Sequence, residues 1–97
     1  MTPLARYIKD PDAVLPYSIE WSSWVPDGET MSTAVWAIDS PSTPTLEIDS
    51  SALASTLATV VLSGGTAGTV YVVRCRATTT PSAYVDDRSI VITVEER

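Results

Sequence analysis

Ninety-seven residues make one domain, and a net charge of −6 with a single lysine leaves no basic footprint with which to neutralise nucleic-acid phosphates. The absence of histidine removes the commonest general base and metal ligand, and one cysteine rules out an internal disulfide. Thirteen Thr and eleven Val point to strands, because β-branched side chains fit a pleated surface better than a helix.

Residues 1–16 differ from the rest. Pro3, Pro11 and Pro16 and the Asp10-Pro11-Asp12 step oppose a regular helix or a central strand. The segment reads as an extended arm ahead of a domain spanning 17–97. It is no Gly/Ser linker, because Leu4, Tyr7, Ile8, Val14 and Leu15 are apolar and require burial somewhere. No apolar stretch of signal-peptide or membrane-spanning length occurs. Folding in a cytoplasm is therefore expected, with any later location reached by assembly.

Alternation begins with Tyr17, Ile19 and Trp21 on one face. Val25-Pro26-Asp27-Gly28-Glu29 is turn chemistry, after which Ala34, Trp36 and Ile38 share a face. Pro41 to Pro44 breaks the pattern. Leu46 and Ile48 mark a short strand, and Ser50–Ser55 reads as a polar connection. Ala58, Val60 and Leu62 alternate again up to Ser63-Gly64-Gly65-Thr66, which predicts a hairpin turn. Tyr71, Val73, Cys75 and Ala77 line the clearest strand, with Arg74 and Arg76 on its other side. Residues 79–83 read as a loop, and the last strand places Ile90, Ile92 and Val94 inward and Val91 outward. The strand and turn spacing predicts an all-β fold, an immunoglobulin-like sandwich of about seven strands.

No motif for chemistry survives inspection. Cys75 falls on the core face, where a thiol is inert. Asp10/Asp12 and Asp86/Asp87 lack the ligand run of a calcium loop, and solvated charge or a salt bridge to Arg88 accounts for them. The Gly-rich turn lacks the Gly-Lys-Ser/Thr ending of a phosphate loop. Tyr71, early in its strand, suits the corner tyrosine of a sandwich. Trp24 breaks the alternation set by Trp21, which marks it for an interface. No cofactor, metal or catalytic residue is expected, and the protein reads as a non-enzyme.

Three stretches, Lys9 to Trp21 (KDPDAVLPYSIEW), Leu62 to Tyr71 (LSGGTAGTVY) and Asp86 to Ile90 (DDRSI), resemble a family of small proteins of tailed phages and prophages, the phage fiber–tail adaptor proteins. The resemblance implies a virion structural protein with an Ig-like fold, placed in the tail or neck after assembly in the host cytoplasm. Its implied partners are other virion proteins, tail or neck subunits and the fiber, with several copies in a cyclic arrangement and no nucleic acid or membrane bound. Docking is then expected through the arm, at Leu4, Tyr7, Ile8, Asp10, Pro11, Asp12, Val14 and Leu15, and at Trp24, together with sheet edges. The alternatives are a capsid decoration or head-fiber protein, and a carbohydrate- or surface-binding module stacking sugar on Trp24 or Tyr84.

Overall fold

Each alternating stretch of the sequence becomes a strand in the computed structural model, which describes residues 4–96. The strands are β1 (Ala5–Lys9), β2 (Leu15–Glu20), β3 (Thr30–Ser40), β4 (Leu46–Ala54), β5 (Leu57–Gly64), β6 (Val70–Thr80) and β7 (Val85–Val94). They form two sheets, ordered β1-β7-β6-β3 and β2-β5-β4. The fold is thus all-β, seven strands in two sheets with no helix among the described residues, and the first strand lies beside the last.

The core lies between the sheets and is built from the faces that alternation predicts. Ile19, Val60, Leu62, Val73, Cys75 and Ile92 are all within 1% of complete burial. Trp21 and Tyr71 supply the largest buried rings, which suits a sequence with no Phe. Trp21 is stacked by the Arg88 guanidinium, 4.4 Å from the ring centroid, and met edge-on by Trp24 at 5.2 Å. Arg88 therefore does not pair with its acidic neighbours as the sequence suggests. Asp87 instead receives two hydrogen bonds from Arg76, at 2.8 and 2.9 Å, and its carboxyl is held below the usual range by them.

Three features differ from expectation. First, the described part of the expected arm, residues 4–16, contributes to both sheets. Ala5–Lys9 pairs in parallel with β7, and Leu15 already opens β2 against β5. The sandwich gains its seventh strand from this segment. Second, β4 continues through Ser50 to Ala54 after a bulge between Ile48 and Ser50. Its polar composition is that of an edge strand with one face in solvent, rather than of a connection.

Third, the Gly-rich turn is not a hairpin. The strands it joins, β5 and β6, belong to different sheets, so the chain turns a corner across the core. Gly65 (φ +99°) fits because a Cβ there would lie 2.7 Å from Val94 Cγ2. The expected corner tyrosine holds the turn: the Tyr71 hydroxyl accepts the Thr66 N–H and shares a hydrogen bond with the Thr45 hydroxyl, both at 2.7 Å. Removing that oxygen alone with Tyr71→Phe takes the partner from the Thr66 N–H, and the loss of such a hydrogen bond costs roughly 0.5–1.5 kcal/mol. A urea unfolding midpoint unchanged in this variant would show that the corner does not hold the turn.

Candidate docking surface

The segment from Leu4 to Leu15 forms one lateral side of the sandwich. β1 ends the four-stranded sheet and β2 ends the three-stranded one, so each has a side with no strand partner among the described residues. The Tyr7 ring lies against Tyr17 of the opposite sheet, with centroids 4.8 Å apart, and closes the core between the two edges. Leu4, Ile8 and Val14 are more than half exposed, and Tyr7 and Leu15 are more than a third exposed. Of the ten large hydrophobic residues exposed among the described residues, five come from these twelve positions. Half of the exposed large hydrophobic residues among the described ones thus fall in this one segment.

The edge is fixed in place by the charged step between its strands. Lys9 is fully buried, and its ammonium donates to the Gly64 carbonyl at 2.8 Å and the Asp10 carbonyl at 2.9 Å. Burial lowers its pKa from the ordinary lysine value, although Asp10, Asp12 and Asp49 act in the other direction. The Asp10 carboxylate accepts the Asp12 N–H at 2.8 Å, and the Asp10 carbonyl accepts the Ala13 N–H at 3.1 Å. Asp10, Pro11 and Asp12 thus shape the turn between β1 and β2, and their backbone geometry sets where Val14 and Leu15 project. Lys9 is the residue that sequence reasoning missed. Its signal was present as the single lysine of the chain, but a lysine is ordinarily solvated.

Trp24 is not part of this cluster. It lies beyond the other end of β2, a six-residue strand whose length is about 20 Å at ~3.3 Å per residue. There it is half-buried against Trp21, so part of its ring already serves the core. Tyr84 is exposed, and its backbone bonds to Thr79, whose hydroxyl in turn donates to Glu29 at 3.0 Å. Burial raises the Glu29 carboxyl, but the Ser82 amide and the Thr79 and Ser82 hydroxyls together bring it below the usual range. Cys75 is buried and its thiol is pushed up to about 11, chiefly by desolvation, which keeps it protonated and unreactive near neutral pH.

The stretches that carry the family resemblance meet in space. Lys9 reaches Gly64, residues 15–20 pair with 57–62, and Arg88 covers Trp21. No curated protein matches the sequence. Residues 9–93 match the family described as podophage GP4 fiber-tail adaptor protein gp77. With nearly the whole chain matched, and the matched stretches forming the framework of the sandwich, the protein belongs to the podophage fiber–tail adaptor family.

Proposed function

We propose that this protein is a non-enzymatic part of a podophage virion that holds a fiber to the tail or neck, and that it docks a neighbouring virion protein along the β1–β2 side. Family membership carries the first half of this reading. The concentration of exposed apolar side chains between Leu4 and Leu15 carries the second.

The chemistry of the two edges favours β1 as the contact strand. β2 contains Pro16, which lacks an N–H and weakens an edge as a template for pairing. β1 contains no proline. An extended segment of a partner can add to it as a further strand, with backbone hydrogen bonds supplying affinity and Leu4, Tyr7, Ile8 and Leu15 supplying contact. The docking element of this reading is a strand already built into the sandwich, not a free arm.

Leu4→Glu combined with Val14→Glu places two charges on exposed positions and leaves the core untouched. In phage particles complemented with this variant, fiber attachment is expected to fall roughly tenfold or more, since apolar anchors dominate such contacts. Wild-type fiber content in those particles would exclude this side as the docking surface.

A further inference from the structure

The side of the sandwich opposite β1 and β2 is formed by β3 and β4, which lie at the other margins of the two sheets. β3 has no strand on its outer side among the described residues. Edge strands are ordinarily guarded against pairing by a lysine, a proline or a bulge within the strand. β2 contains Pro16, and β4 is bulged between Ile48 and Ser50. β3 shares with β1 the lack of proline, contains no lysine, and is eleven residues long against five. Its ladder with β6 is irregular only near the ends, between Met31 and Thr33 and between Ile38 and Ser40, so residues 33–38 pair with 73–78 without interruption. Within this unguarded run Val35 is 59% exposed, on the face away from Trp36 and the core.

Where β3 begins, a cleft of about 490 Å³ opens between it and the end of β4. Met31 and Leu53 give the cleft an apolar surface, Ser55 and Thr56 add hydroxyls, and Glu29 supplies a carboxylate. The Glu29 oxygens accept hydrogen bonds from the Thr79 and Ser82 hydroxyls and the Ser82 amide, which fix the charge in place. Glu20 stands close by, accepting a hydrogen bond from the Thr56 hydroxyl. No basic residue lines the cleft. The described cations of the chain are engaged elsewhere: Arg74 with Asp39, Arg76 with Asp87, Arg88 on the Trp21 ring, and Lys9 buried against the Gly64 carbonyl. Arg6 lies in β1, at the far edge of the same sheet and in the strand already assigned to another contact. A side chain with an apolar stem and a cationic head, lysine or arginine, matches this cleft, and it is left for another protein to supply.

We infer that β3 is a second docking edge, which takes as an added strand an extended segment of another virion protein, with a lysine or arginine of that segment seated in the cleft beside Glu29. A row of free backbone N–H and C=O groups is matched by another strand, and this sets the kind of occupant. β1 and β3 are the two ends of one sheet. Partner strands on both carry a single hydrogen-bonded sheet through the adaptor, from one virion protein to the next. The inference rests on the adaptor reading and adds to it the second of the two contacts that a bridging protein needs.

Amide hydrogen exchange of the full chain, free in solution and in assembled particles, tests the added strand. Exchange within residues 30–40 is expected to slow roughly tenfold or more in particles, because an added strand bonds the outward amides. Two substitutions test the contact, with far-UV circular dichroism checking that each variant folds. Val35→Lys places a guarding charge on the edge, and Glu29→Gln removes the charge of the cleft while keeping an acceptor for Ser82. In complemented particles Val35→Lys is expected to abolish the protection and to lower the bound partner roughly tenfold or more. Glu29→Gln lowers it by a smaller factor and leaves a contact less sensitive to salt. Variants of the β1 side and of β3 are expected to fail in opposite ways, one losing the adaptor from the particle and the other keeping the adaptor and losing the fiber. Unchanged exchange in residues 30–40, Val35→Lys particles of wild-type composition, or loss of the same component from both edges would each overturn the inference. So would protection of β3 that the free chain gains as its own concentration rises, since the occupant is then a second copy. Particles that hold this chain and their fibers with β3 unprotected leave the adaptor reading standing, whereas fibers that attach without the chain remove that reading itself.

Discussion

Removal of residues 1–9 is expected to cost this domain on the order of 3–5 kcal/mol, a large share of the roughly 5–15 kcal/mol that holds a typical domain together. The backbone terms largely cancel. The parallel ladder between β1 and β7 contributes about 1 kcal/mol per hydrogen bond, but ordering each residue costs about as much. What remains is apolar burial. Ala5, Tyr7 and the stem of Lys9 cover the side of β7 that carries Ile90, Ile92 and Val94, and Tyr7 also covers Tyr17. The Lys9 bonds to Gly64 and Asp10 are lost as well, which frees the corner between β5 and β6. Urea unfolding followed by tryptophan fluorescence measures the effect. A truncated chain with the wild-type midpoint would return residues 1–9 to the status of a dispensable arm.

Trp21→Ala is expected to be the most damaging single substitution, at about 3–5 kcal/mol for a large aromatic side chain lost from a core. Trp21 is completely buried, and it organises its surroundings as well as filling space. The Arg88 guanidinium rests on its face and the Trp24 ring on its edge. Its indole N–H is buried and finds no hydrogen-bond partner among the described residues. Without the indole, a cavity opens and Arg88 loses a stacking surface worth about 0.5–2 kcal/mol. Trp21→Phe keeps a ring in place and is expected to cost less than half as much. The comparison of the two midpoints by chemical denaturation separates ring stacking from bulk. A loss below about 1 kcal/mol for the alanine variant would mean that the site closes over the cavity.

These two effects rest on different kinds of sequence legibility. The burial of Trp21 follows from Tyr17, Ile19 and Trp21 recurring at every second position, a local pattern that each strand carries by itself. The same holds for Tyr71, Val73, Cys75 and Ala77. The strand at residues 5–9 was hidden. Its partner β7 lies more than eighty residues away, and the flanking prolines resembled punctuation. The residues proposed for docking divide in the same way. Leu4, Tyr7, Ile8, Val14 and Leu15 were recognisable as apolar positions outside the obvious core, and the structure leaves all five exposed along one side. The roles of Asp10, Pro11 and Asp12 in a turn, and the separation of Trp24 by the length of β2, required coordinates.

By itself the sequence determined that this is an all-β protein, and it determined which face of each alternating strand enters the core. A two-residue period needs only neighbours along the chain to be read. Tertiary structure alone decided which sheet each strand joins. It turned the Gly-rich turn from a hairpin into a corner between sheets and set Ala5–Lys9 beside β7. Pairing is a contact between residues distant in sequence, and alternation constrains the side chains of a strand but not the identity of its neighbour.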